Sequence, residues 1–184
     1  MSIQTRAVAI LTKPADEWRT IAAESATVEG LLRDYAAPLA AIPAVAQFIG
    51  FIRFTIVRGF VYAVVSWIMT LVSAWIAAVV IEALAPTFQS KGNTEQALKL
   101  VVYSMTPIWI AGVLNLVPAL AVLVLVAALY AVYLFYLGLT PVLGTPSDKL
   151  IPYMVVSVVV IIVISIVLSA ILTAIFGISA YRAF

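Results

Sequence analysis

Acids, bases and tyrosines carry most of the chemistry this chain can offer, because its 184 residues include no histidine and no cysteine. Without an imidazole it lacks the commonest general base and the commonest metal ligand; without a thiol it has no thiolate nucleophile. Ser–His–Asp triads and zinc-hydrolase motifs are excluded. Asp34, Glu82 and Asp148 are the acids best placed near one face, and a metal site would require several of them to converge. Gly138 and Gly144 bracket a loop-like stretch, but no Gly-Lys-Ser/Thr follows and no phosphate cradle is read there. No catalytic residue, cofactor site or metal ligand is assigned, and a non-enzymatic protein is expected. A net charge of +2 with pI near 9.0 is too small an excess to argue for nucleic acid.

The elements that must position these groups are apolar. Hydrophobic residues make up 65% of the chain and charged ones 10%, with mean hydropathy +1.20. A soluble domain carries about a quarter charged residues, so lipid rather than water is the expected solvent. The fold class expected is all-α: a polytopic integral membrane protein with five transmembrane helices and short N-terminal interfacial helices. Residues 1–34 form a cytoplasmic or interfacial segment and residues 35–184 the membrane domain, with spans at about 35–52, 60–84, 100–116, 119–137 and 153–178.

Pro14 suits the first turn of a helix with Asp16 and Glu17 near its positive end. Trp18, Ile21 and Ala22 give that helix an apolar face, and Trp18 is expected to anchor it at the headgroups. Thr27 is the expected cap of a second short helix. The apolar run from Leu100 to Leu137 would reach about 57 Å as one helix, twice the hydrocarbon thickness. It must therefore fold back, and Asn115 to Pro118 is the expected turn. Pro86 to Lys99 reads as a polar link, and the middle of the stretch Tyr130 to Tyr153, with two Gly, three Pro, an Asp and a Lys, as a non-helical joint between the last two spans. Candidate hinges are Pro38, Pro43, Pro107, Gly138, Pro141, Gly144 and Pro146. Two stripes of small residues, Ala36–Ala40–Ala44 and Ser165–Ser169–Thr173–Gly177, are expected to admit neighbouring helices closely. Arg6, Lys13, Arg19, Arg33, Lys91, Lys99 and Lys149 fall on one side and Arg53, Arg58 and Arg182 on the other. That bias places the N-terminus in the cytoplasm and the C-terminus outside.

On this topology Tyr35, Glu82, Tyr103, Tyr130, Tyr133, Tyr136, Lys149 and Tyr153 crowd the inner half of the membrane. They either line a cytoplasm-facing cavity or form an ordinary aromatic belt. Glu82 is either interfacial or buried and paired, with Lys99 or Lys149 as its partner.

Several stretches resemble the Yip family of Ypt/Rab-interacting membrane proteins, and specifically its bacterial branch. They are Leu11-Thr-Lys-Pro-Ala-Asp-Glu-Trp18, Asp34-Tyr-Ala-Ala-Pro-Leu39, Tyr103-Ser-Met-Thr-Pro107 and Leu137-Gly-Leu-Thr-Pro-Val-Leu-Gly-Thr-Pro146. The resemblance implies five membrane helices behind a cytoplasmic N-terminal segment, in a bacterial inner membrane. Eukaryotic relatives engage prenylated Rab GTPases; this sequence lacks their long disordered N-terminal region, and GTPase binding is not carried over. The function expected is the organisation of protein partners or lipids at the membrane, in contact with membrane lipid and with a homo-oligomer or membrane-protein partner. The alternative is a small transporter, channel or lipid-moving protein working through Glu82 and the prolines.

Overall fold

The computed structural model describes residues 2–51 and 56–176, among which there are helices and turns but no strand. Local chemistry sets the first boundaries. Ser2 caps α1 (Ile3–Thr12) by accepting from the Thr5 N–H, and Pro14 opens α2 (Pro14–Ala23), where its missing donor is no loss. Thr27 caps α3 (Val28–Gly30) through the Gly30 N–H. A π-helical turn, Leu31–Ala36, then leads without interruption into α4 (Ala37–Phe51).

The long α5 (Ile56–Leu84) ends in a 3-10 turn, Ala85–Phe88, and a left-handed Gln89. Asn93 caps α6 (Thr94–Ser104). Met105 separates α6 from α7 (Thr106–Ala111), and Pro107 explains the break: it cannot donate to the carbonyl one turn back. Two 3-10 turns, Gly112–Leu116 and Pro118–Leu120, reverse the chain where Asn115 to Pro118 predicts a turn. Then come α8 (Ala121–Leu143) and α9 (Leu150–Phe176).

Among the described residues, four segments are long and apolar enough to cross a membrane: Ile56–Phe88, Thr94–Leu116, Val122–Leu143 and Leu150–Phe176. Valines, isoleucines and leucines stand exposed along α5, α8 and α9, a surface that water would not tolerate and lipid requires. The protein is therefore an all-helical, polytopic membrane protein. The helix expected as its first span, α4, is 15 residues long and is not among the four.

Inside the bundle α6 is central. Every residue from Ala97 to Ser104 is buried, with α5 on one side and α8 on the other. Ala36, Ala40 and Ala44 are buried as the stripe predicts, and α4 lies against α5 and α7. On α9 only Tyr153 and Ser157 are buried. Ser165, Ser169 and Thr173 are exposed, contrary to the second packing stripe, and the Ser165 and Thr173 hydroxyls turn back to carbonyls of their own helix. Gly177, like Arg53 and Arg182, lies outside the described residues.

The expected joint is shorter than its composition suggests. α8 runs through Gly138 and Pro141 to Leu143, and only residues 144–149 are non-helical. Pro141 falls in the last turn, where its missing N–H costs α8 a single hydrogen bond, and Gly144 at φ +63° supplies the left-handed cap. The polar link is shorter too, since α6 begins at Thr94, and Arg58 lies within α5 rather than in a turn.

Candidate functional site

Three segments meet at one end of the bundle. The Lys91 N–H donates to the Leu143 carbonyl at 2.8 Å, and the Ser90 and Thr145 hydroxyls share a buried hydrogen bond of 2.8 Å. These contacts tie the α5–α6 turn to the α8–α9 turn. Onto the same end folds the α1–α2 hairpin, fastened by polar groups whose roles the sequence does not announce. Arg6, almost wholly buried, donates to Glu17 through one guanidinium nitrogen and to both oxygens of Glu24, at 2.5 and 2.6 Å, through another. Its guanidinium carbon stands 5.8 Å from the centre of the Tyr103 ring. Burial works against the Arg6 charge, but the Glu24 and Glu17 carboxylates outweigh it and its pKa is raised.

Lys99 completes the fastening from α6. Its ammonium donates to the Ile21 carbonyl at 3.1 Å and to the Glu24 carbonyl, both at the C-terminal end of α2, where unpaired carbonyls favour a cation. Trp18 is fully buried instead of anchoring in headgroups. Its ring packs edge-on to Tyr103 and lies against Gly138, where a Cβ would come within 2.9 Å of the indole and 2.5 Å of Leu100 Cδ1. Gly138 is thus a seat for Trp18, not a hinge.

The eight residues expected to form one inner-face cluster are dispersed over several places. Tyr35 and Tyr103 pack at 4.6 Å in the core beside Trp18, with the Tyr35 hydroxyl 2.9 Å from that of Thr106. Tyr153, fully buried, stacks on Phe88 and donates to the Ile81 carbonyl at 2.6 Å. Tyr130 donates to the Leu11 carbonyl at 2.8 Å and adjoins the exposed Tyr133 along α8, with Tyr136 half-buried one turn on. Glu82, half-buried, accepts a hydrogen bond from the Thr94 hydroxyl. Of the two alternatives for Glu82, the ion pair does not form among the described residues: Lys99 is committed to α2, and Lys149 pairs with its neighbour Asp148 at 3.4 Å.

The remaining hinge candidates divide similarly. Pro38 is exposed in the first turn of α4, and α4 continues through Pro43, whose ring presses against Gly112. Pro107 marks the α6–α7 break, Gly144 caps α8, and Pro146 lies in the turn that follows. What the sequence reading missed is the Arg6–Glu17–Glu24–Lys99 network. One signal was available: Glu17, Trp18, Ile21 and Glu24 share one face by helical spacing, and acids beside a buried face require a cation. Among the described residues, no group of three or more acids converges to hold a metal.

A family model described as the Yip1 domain matches residues 8–179. No curated protein and no solved structure matches. The matched range takes in the docked hairpin from Val8 onward as well as the helical bundle.

Proposed function

The chain belongs to the Yip1 domain family, and from that premise we propose a non-enzymatic membrane protein that gathers protein partners or lipids at the bundle end carrying the α1–α2 hairpin. In this reading the hairpin is cytoplasmic, at a bacterial inner membrane. Five helices cross, and the chain beyond α9 emerges on the opposite side. The fifth crossing is supplied by the unbroken helical path from Val28 to Phe51, roughly 36 Å at 1.5 Å per residue. Five crossings also agree with the hairpin, the α5–α6 turn and the α8–α9 turn sharing one end.

The observation that carries the reading is Trp18 seated on Gly138 beside Tyr103 and Leu100. It fills the interior at that end, so engagement with a partner falls to the surface. Photo-crosslinking from the exposed Tyr133 position in native membranes should recover a partner or a second copy of the chain. Recovery of monomer alone removes the reading.

One observation favours the alternative, a transporter, channel or lipid-moving protein with a cytoplasm-facing cavity. At the α6–α7 break the Ser104 hydroxyl is buried without a hydrogen-bond partner, and broken helices line the binding sites of many transporters. The wild-type chain has no cysteine, which makes Ser104→Cys a clean probe. Reaction of that thiol with a membrane-impermeant reagent would establish a water path; protection supports the packed interior.

A further inference from the structure

At the end of α5, the 3-10 turn and the following loop enclose an open groove of about 590 Å³ whose wall includes Glu82, Pro86, Ser90 and Lys91. Two opposite charges face this groove without a protein counter-ion among the described residues. Glu82 meets the Thr94 hydroxyl only, and the exposed Lys91 is fixed through its backbone N–H to Leu143. A carboxylate half-buried at the end of a 29-residue apolar helix is costly to leave unpaired. The groove also does not end in water. Val79 and Ala83 continue it onto α5, and Trp75, Val72 and Ile68 extend the same exposed face at helical spacing. From Ile68 to Ala83 that strip runs about 22 Å, the length of an extended phospholipid acyl chain.

We propose that this groove holds the headgroup of a phospholipid bearing a primary amine, its ammonium on Glu82, its phosphate on Lys91 and one acyl chain along the α5 strip. The charges specify the class. A primary ammonium can donate hydrogen bonds to a carboxylate, whereas a trimethylated one cannot. An anionic headgroup with no amine would leave Glu82 unpaired and repelled. The assignment rests on the chain being embedded in a membrane and is independent of whether it gathers protein partners.

The test is native mass spectrometry of the full, delipidated chain offered equal amounts of phosphatidylethanolamine, phosphatidylcholine and phosphatidylglycerol with identical acyl chains. Phosphatidylethanolamine should be retained about tenfold over each of the others, the scale of one charge-assisted hydrogen bond. Glu82→Gln should abolish the preference over phosphatidylcholine. Lys91→Glu, at an exposed position whose backbone bond to Leu143 the substitution leaves in place, should weaken retention of both phosphocholine and phosphoethanolamine lipids. Equal retention of the three lipids, preference for phosphatidylglycerol, or no response to Lys91→Glu would overturn the proposal. Soluble glycerophosphoethanolamine should not displace the lipid at matched concentration; if it does, the acyl strip has no part and the lipid assignment fails.

Discussion

The helices α6 and α9 answer the same problem, removing an apolar rod from water, in opposite ways. In the segment Thr94–Leu116, which contains α6, protein buries 67% of the most apolar stretch; along α9 it buries 6%. The more hydrophobic of the two is the less covered: mean hydropathy is 3.3 for α9 and 1.6 for the α6 segment. Hydropathy here records contact with lipid, not depth in the protein. The α6 helix tolerates Lys99 and Tyr103 because its neighbours offer carbonyls to the one and an aromatic ring to the other. Lipid offers α9 no such partners, so the hydroxyls of Ser165 and Thr173 return to their own backbone.

If this contrast is right, substitutions should matter around α6 and pass nearly unnoticed along α9. The largest effect expected is that of Trp18→Ala, which removes the largest fully buried side chain from its seat between α6 and α8. It should cost about 3–5 kcal/mol, measured by thermal unfolding in detergent, and expose Gly138. Arg6→Ala follows at about 3 kcal/mol. It leaves Glu17 buried without a cation, while the half-exposed Glu24 recovers water and tempers the loss. Limited proteolysis between α2 and α3 should then accelerate, because Arg6 holds α1 to the end of α2 and meets the bundle over the Tyr103 ring.

Gly138→Ala is smaller and more discriminating. Alanine gains about 1 kcal/mol of helix propensity, but its methyl would meet Leu100 at 2.5 Å and the Trp18 ring at 2.9 Å. Overpacking costs about 1–3 kcal/mol, so a net destabilisation is expected, and it should shrink in the Trp18→Ala background, where only the Leu100 contact remains. Stabilisation by Gly138→Ala in the parent would contradict the close seat. The smallest effect belongs to Ser169→Leu on α9, expected within about 0.5 kcal/mol. A large loss there would mean that a second copy of the chain, not lipid, covers this face.

Much of the architecture was legible in advance because it follows from local rules. Pro14 at a first turn, Thr27 as a cap, the break near Pro107 and the reversal at Asn115 to Pro118 all depend on a residue and its immediate neighbours. The helical extent of α8 was misread at Gly138 and Pro141 because composition ignores position. A proline in the last turn costs one hydrogen bond without stopping a helix that ends two residues later, and the Trp18 ring beside position 138 leaves no room for a larger residue than glycine. The candidate cluster was legible only as residue types. Tyr35 and Tyr103 converge, whereas Tyr153, Tyr130 and Glu82 go elsewhere, since which faces meet depends on helix rotation and crossing, which one chain's periodicity leaves open.

By itself the sequence determined the solvent, the helical class and the exclusion of histidine and thiol chemistry. Each of these is a sum over residues and needs no knowledge of neighbours. Only the tertiary structure decided that Arg6 joins α1 to α2, that Lys99 holds α2 to α6, that Trp18 belongs inside and that Glu82 faces a groove with no counter-ion among the described residues. Those assignments join residues far apart in the chain, 78 positions in the case of Lys99 and Ile21. The energy of a buried charge is settled by what it meets in space, not by what flanks it in the chain.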